Sequence, residues 1–174
     1  MFAGAPAERV PAYGCTIRIV GVEDESLEVL RGRLRKPPAA SNAGTRTSMV
    51  GNKRVDSLPE RRLRSALHAA GLRYRVDLPI RVPGRRPIRP DIVFTRRRVA
   101  VFIDGCFWHG CPEHGSSPRR NSDYWSAKLE VNRRRDIEQT AALADAGWLV
   151  VRLWEHESLD ASLAAVLARL EEAS

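Results

Sequence analysis

Residues 101 to 114 read Val-Phe-Ile-Asp-Gly-Cys-Phe-Trp-His-Gly-Cys-Pro-Glu-His, a run that concentrates acid, thiol, imidazole and large aromatic groups. Cys106, Cys111 and His114 give the spacing C-x4-C-x2-H, and His156 follows in Trp154-Glu155-His156. Four such donors suit a structural, tetrahedral Zn²⁺ that would pin this segment to a C-terminal strand. The plainer alternative is two free thiols and two surface histidines. His109 is a residue type suited to general-base chemistry and could take a proton from an attacking water. Its spacing from Cys106 also makes it a rival metal ligand, and the sequence leaves both roles open. Asp91 opens a strand after a proline-rich turn, and Asp104 closes the next strand. Carboxylates brought together at one sheet edge are what Mg²⁺ takes, and such an ion polarises a phosphodiester and helps to generate hydroxide. For Asp91 the alternative is a turn former after Pro90.

Phe107, Trp108, Tyr124 and Trp125 cluster in a chain with only 6% aromatic residues, so stacking on nucleobases competes here with core packing. Farther along, Asn132 and Asp136 continue the line of Trp125 and Leu129 on one helix face. Asp136 either orients His109 or forms a surface ion pair. Arg133, Arg134 and Arg135 beside it meet phosphates or form a solvated face.

These groups need a scaffold, and the hydrophobic pattern supplies one. Ser57-Leu-Pro-Glu is a helix start with Ser57 as cap, and Leu58, Leu63, Leu67 and Ala70 make one apolar stripe before Gly71. Leu72 to Ile80 alternates as a strand, and Val82 to Pro90 is a Pro- and Arg-rich turn. Asp91 to Thr95 and Val99 to Asp104 form a hairpin around Arg96-Arg97-Arg98. A helix over Tyr124 to Ala146 ends at Gly147, Trp148 to Trp154 is a buried strand, and Ser158 to Glu172 is a closing helix with Leu159, Leu163, Val166, Leu167 and Leu170 on one side. The order predicts an α/β (α+β) domain, a mixed sheet flanked by helices. Residues 1–45 are expected to be a loosely packed or partly disordered arm, with a strand near residues 15–22 and a helix over residues 25–35. Residues 46–174 are expected to be the working domain.

Composition narrows the partner. The net charge is +8, yet residues 41–135 hold 21 Lys and Arg against 8 Asp and Glu, while residues 136–174 hold 2 against 8. Arg outnumbers Lys heavily, which favours bidentate phosphate contacts. The basic excess coincides with the Cys/His/Asp segment, so a phosphate polymer is the expected partner. Three cysteines, Cys15, Cys106 and Cys111, make a poor disulfide framework and fit a reducing compartment. With no membrane-length apolar run and no secretory signal pattern, a cytoplasmic protein is expected.

Together, Pro90-Asp91, Phe-Ile-Asp-Gly-Cys-Phe-Trp-His at 102–109, Trp125, Lys128, Asn132, Asp136, Gly147-Trp148 and Trp154-Glu155 resemble the very-short-patch repair (Vsr) endonucleases, over roughly Thr45 to His156. The resemblance implies a restriction-endonuclease-like fold with a structural zinc. It also implies Mg²⁺-dependent nicking of double-stranded DNA 5′ to the thymine of T:G mismatches, left where 5-methylcytosine has deaminated. By position, Asp91 resembles the family's metal-binding aspartate, and Ile103 replaces a residue that binds the metal through its backbone carbonyl. His109 resembles the base, and Glu60 an N-terminal-helix glutamate near the active site. Phe107, Trp108 and Trp125 match aromatics that wedge beside the mismatch from the major groove, and Met49 matches a minor-groove wedge. Asn132 and Arg133 join the expected DNA contacts. Asp104 stands where well-known members have a second active-site histidine. In the zinc set, His156 replaces a cysteine and Cys111 a histidine. A monomer associated with the nucleoid is expected, with mismatch-repair proteins as further partners. Two rivals stand beside this reading: a restriction or damage nuclease of the same fold, and a non-catalytic zinc module that binds nucleic acid.

Overall fold

A computed structural model describes residues 56–115 and 120–173, with Val29, Arg31, Gly32, Leu34 and Pro38 as isolated positions. The expected strand near residues 15–22, most of the expected helix over residues 25–35, and Met49 lie outside the described residues. Helix α1 spans Leu58–Ala69. The Ser57 side chain accepts from the Glu60 N–H, Pro59 sits in the first turn, and Gly71 at φ +79° ends the helix. Each feature follows from the local sequence: a hydroxyl satisfies an orphan N–H, and proline gives up a donor that would have no partner.

Strand β1 is Arg75–Val76, β2 is Ile92–Phe94, β3 is Val99–Asp104 and β4 is Leu149–Trp154. The sheet order is β1-β2-β3-β4, with antiparallel pairing except between β3 and β4, which run parallel. This is a mixed sheet flanked by helices, as expected. The strand expected over Leu72 to Ile80 shrinks to two residues. Asp77 at φ +49° breaks the extended run and Pro79 lacks a donor, so Val76 faces solvent despite the apolar alternation. Ile80 instead bridges Ile88 across the Pro- and Arg-rich turn.

Alternation along the strands builds two cores. Ile92, Phe94, Val99, Val101, Val151 and Leu153 face α1 and the C-terminal helix α4, Leu159–Glu172. Val93, Ala100, Phe102 and Val150 face Leu143 of the long helix and Ile80 and Ile88 of the bridge. That long helix, α3, spans Ser122–Asp145. Between β3 and α3, Cys106–His109 form a single helical turn, α2. Gly110 ends it at φ +65°, and the Arg133 guanidinium fills the space where a Cβ would stand, 2.5 Å away. Leu159, expected on the apolar stripe of α4, is the first residue of the helix and is 40% exposed, while Val166 and Leu170 are buried in the core.

The core facing α1 and α4 holds the strands that carry Asp91 and Asp104. Leu67→Ala, at a side chain with no exposure, should lower unfolding free energy by about 2–5 kcal/mol in urea titration; an unchanged midpoint would contradict this packing.

Candidate active site

Three connections converge at one end of the sheet: the start of β2, and the C-terminal ends of the parallel pair β3 and β4. Register places Asp104 beside Trp154 there, and Glu155 N–H donates to the Asp104 carbonyl at 3.0 Å. Asp91, just before β2, accepts from the Ile103 N–H through Oδ2 at 2.7 Å. Because residues 100, 102 and 104 of β3 face α3, the Asp104 carboxylate points to that helix, while Ile103 packs on the opposite core.

His109 sits in the last position of α2, with its ring against α3. Its Nδ1 donates to Asp136 Oδ2 at 2.5 Å and lies 3.3 Å from Asp104 Oδ1. Asp136 is buried, so the surface ion pair weighed for it is absent and its carboxylate faces the His109 ring instead. Behind both carboxylates lies Arg152 of β4, whose side chain is 1% exposed. It grips Asp104 bidentately, Nε to Oδ2 at 2.7 Å and Nη2 to Oδ1 at 2.6 Å. Arg152 was not singled out from sequence. The available signal was a lone cation within the apolar run Leu-Val-Val-Arg-Leu-Trp of β4.

The electrostatics follow from this crowding. Burial pushes the Asp91 carboxyl up to about 7; Glu60 and Asp104 push the same way, while the Ile103 N–H and Arg152 oppose. Burial also disfavours the Asp136 charge, yet the His109 hydrogen bond and the charges of Arg152, His109 and Arg135 win, and hold it below the usual carboxylate range. Glu60 is buried at the start of α1, where its Oε2 accepts from the Asp56 N–H at 2.8 Å. Asp91 and Glu60 therefore lie on one flank of Asp104, and His109 and Asp136 on the other.

A second cluster lies beyond α2. The donor atoms of Cys106, Cys111, His114 and His156 all lie within 4.8 Å of one another. Cys106 Sγ is 3.1 Å from His156 Nδ1, Cys111 Sγ is 3.7 Å from that nitrogen, and Cys111 Sγ is 3.9 Å from His114 Nδ1. Zinc bonds of about 2.0–2.3 Å at tetrahedral angles imply S···N edges of about 3.5 Å, so the donor set fits that ion. Glu113 Oε2 lies 3.6 Å from His156 Nε2, which favours the tautomer with Nδ1 open to a metal. Burial, then the hydrogen bond and charge of Cys111, push the Cys106 thiol up to about 11, a cost that a bound cation would reverse.

Phe107, Trp108 and Trp125 form a half-buried cluster, with ring centroids 5.0 to 6.0 Å apart, and Tyr124 joins at 5.3 Å. Asn132, expected at the DNA, is instead 4% exposed, and its Nδ2 donates to the Trp108 carbonyl at 2.9 Å. It holds the α2 backbone rather than facing outward. Arg133 is exposed beside Gly110, in reach of a ligand.

A mixed sheet with carboxylates and an oriented imidazole at one end defines a nuclease-like hydrolase. The sequence profile of the family described as DNA mismatch endonuclease Vsr matches residues 41–113. The chain is 51% identical over 133 residues to the type II nicking enzyme V.NaeI of Lentzea aerocolonigenes, covering 76% of this chain and 80% of that protein. It is 46% identical over 114 residues to the type II nicking enzyme V.XorIIP of Xanthomonas oryzae, covering 64% of this chain and 78% of that one. It is 35% identical over 104 residues to the DNA mismatch endonuclease Vsr of Escherichia coli K12, covering 58% and 62%. The chain belongs to the Vsr family and is a DNA endonuclease. No helix among the described residues is long and apolar enough to cross a membrane.

The Asp91 carboxyl sets a pH signature. With its folded pKa raised from 3.8 to about 7, its contribution to stability is full below the unfolded value and is lost as pH rises through the folded one. In chelator, Asp91→Asn should therefore gain about 4 kcal/mol over wild type at pH 8 and almost nothing at pH 3.5. Parallel stability–pH curves for the two proteins would refute the buried charge.

Proposed function

We propose that this endonuclease nicks one strand of duplex DNA 5′ to the thymine of a T:G mismatch, with Mg²⁺ as its catalytic cation and Zn²⁺ as a structural one. The observation that carries the reading is the His109–Asp136 hydrogen bond, with Asp104 meeting the His109 ring on one side and acting on the Asp91 carboxyl on the other. The names of the nicking and mismatch relatives support the substrate and the single-strand outcome.

Asp91, with the Ile103 carbonyl, would hold the divalent ion, which supplies positive charge to the scissile phosphate and to its attacking water. His109 acts as the base. Because Nδ1 donates to Asp136, Nε2 carries the lone pair and takes the proton from water. The carboxylate of Asp136 then stabilises the imidazolium and keeps the ring in place. Glu60 adds negative charge beside Asp91, which strengthens cation binding. Asp104 is already matched to Arg152, so it orients His109 rather than serving as a second cation ligand. Phe107, Trp108 and Trp125 form an aromatic ledge suited to wedging beside a mismatch, and Met49 is proposed to enter from the opposite groove. Arg133 contacts phosphate. Residues 46–174 form the catalytic domain in this reading, with residues 1–45 as an arm. The enzyme works as a monomer on chromosomal DNA in the cytoplasm, where mismatch-repair proteins are its candidate partners.

End-labelled duplexes that differ only in T:G versus C:G, incubated with Mg²⁺ across randomised flanks, test the substrate. A nick 5′ to the mismatched thymine is expected. Equal cutting of paired DNA would instead identify a restriction-type nuclease. Asp91→Ala and His109→Ala should each lower nicking by about 1,000-fold or more while leaving DNA affinity within a few-fold. Normal cutting by either would remove it from the chemistry. Elemental analysis should find one zinc per chain, lost in Cys111→Ser together with a large drop in melting temperature; a metal-free protein of full stability would refute the zinc.

A further inference from the structure

Both carboxylates that meet His109 Nδ1 are also met by a single buried guanidinium. Arg152 binds both Asp104 oxygens through Nε and Nη2. Its Nη2 also lies 3.4 Å from Asp136 Oδ1, and its Nη1 donates to the Asp136 backbone carbonyl at 3.5 Å. The plane of the group is fixed a third way, by the Phe102 ring 4.8 Å from Cζ. Asp136 receives a second cation from the surface side, where Arg135 reaches Oδ1 through Nε and Nη2 at 3.3 and 3.1 Å. Arg152 differs in joining the two carboxylates to each other, across two elements: Asp104 on β3 and Asp136 on α3.

We propose that Arg152 is a positioning residue for strand cleavage: by clamping Asp104 against Asp136, it fixes the pair of acceptors that aim the His109 ring, although it touches neither DNA nor water itself. The inference rests on His109 being the base. Its physical basis is geometric. A ring that hydrogen-bonds one mobile carboxylate can swing; a ring facing two carboxylates locked to a planar fork cannot, and reaction rates fall steeply with small misplacements of a proton acceptor. Only a guanidinium can do this. A lysine keeps the charge but offers a single point of attachment and cannot hold both Asp104 oxygens in one plane while reaching Asp136. Without the clamp, Asp104 would also be a buried carboxylate beside Asp91, able to draw the cation away from the working position. The fork therefore orients the base and keeps the two acidic flanks separate.

The test compares wild type, R152K and H109Q on the T:G duplex under single-turnover conditions, with DNA affinity measured separately and folding checked by near-UV circular dichroism. R152K is expected to bind DNA within about twofold of wild type and to nick bound DNA about 10- to 100-fold more slowly. A merely structural role would lower the folded fraction and leave the rate per folded, bound molecule unchanged. Proton NMR gives an independent readout: a downfield His109 Nδ1–H resonance, identified by its absence in H109Q, should be present in wild type and weakened or lost in R152K. Should R152K fail to fold, R152Q/D104N removes both opposite charges together and is compared with D104N. The double variant is expected to lose the resonance that D104N keeps. Wild-type rate per bound molecule and an unchanged resonance in R152K, or identical behaviour of D104N and R152Q/D104N, overturns the proposal. A wild type that cuts no T:G duplex would count against the proposed function, whereas the resonance would still decide the clamp.

Discussion

The end of the sheet is organised by the need to keep several carboxylates close together without water. Asp104, Asp136 and Glu60 are buried, and Asp91 is mostly so. Unpaired, each would neutralise or unfold its surroundings. Arg152 makes the cluster tolerable: one cation with a planar fork supports Asp104 fully and Asp136 in part. A buried pair of this kind adds little net stability relative to apolar residues, but removing one partner leaves a charge stranded, at a cost of about 3–5 kcal/mol. The arrangement thus favours one geometry over others more than it favours folding. Asp91 receives little of this compensation, and its raised pKa shows it. That residual negative potential is what a divalent cation answers.

The two candidate metal clusters are joined through α2, and the joint depends on small residues. Gly105 leads out of β3 beside Glu155 and Trp108, and Gly110 turns back under the Arg133 guanidinium. Between them one helical turn carries Cys106 inward to the sulfur–imidazole cluster and His109 inward to Asp136. The Cys106 N–H is held by Glu155 Oε1 at 2.7 Å and the Trp108 carbonyl by Asn132. The imidazole is therefore aimed by backbone anchors on both sides, and a metal at the cysteines would tighten the same turn. The aromatic rings of Phe107 and Trp108, packed against Trp125, inherit that rigidity.

Asp104 stands where the resemblance places a second histidine, and Arg152 shows how the exchange is accommodated. An aspartate alone would have added a full negative charge next to Asp91. Paired with Arg152 it contributes a unit of no net charge whose Oδ1 still lies 3.3 Å from the His109 Nδ1. The swaps in the sulfur–imidazole cluster follow the same logic, since Cys111 and His156 exchange donor types while the distances stay near those of a tetrahedral site.

Much of this was legible in the chain itself. The cap and stop of α1, the Gly147 stop of α3 and the hairpin around Arg96–Arg98 are governed by neighbours in sequence, so residue type and spacing determined them. By contrast, α3 starts at Ser122, two residues before the expected Tyr124, and His156 meets Cys106 and Cys111 only through the fold. The strand over Leu72 to Ile80 misled, because apolar alternation does not reveal a left-handed Asp77 or a missing partner strand. Asn132 misled because a polar residue on a helix face reads as exposed until the fold shows what covers it. The contacts between Arg152, Asp104 and Asp136 join β4, β3 and α3 across separations of 48 and 16 residues. No local pattern encodes such a meeting. It exists only because β3 and β4 pair in parallel with α3 packed over them, and tertiary packing alone decided which carboxylates the arginine inside β4 would serve.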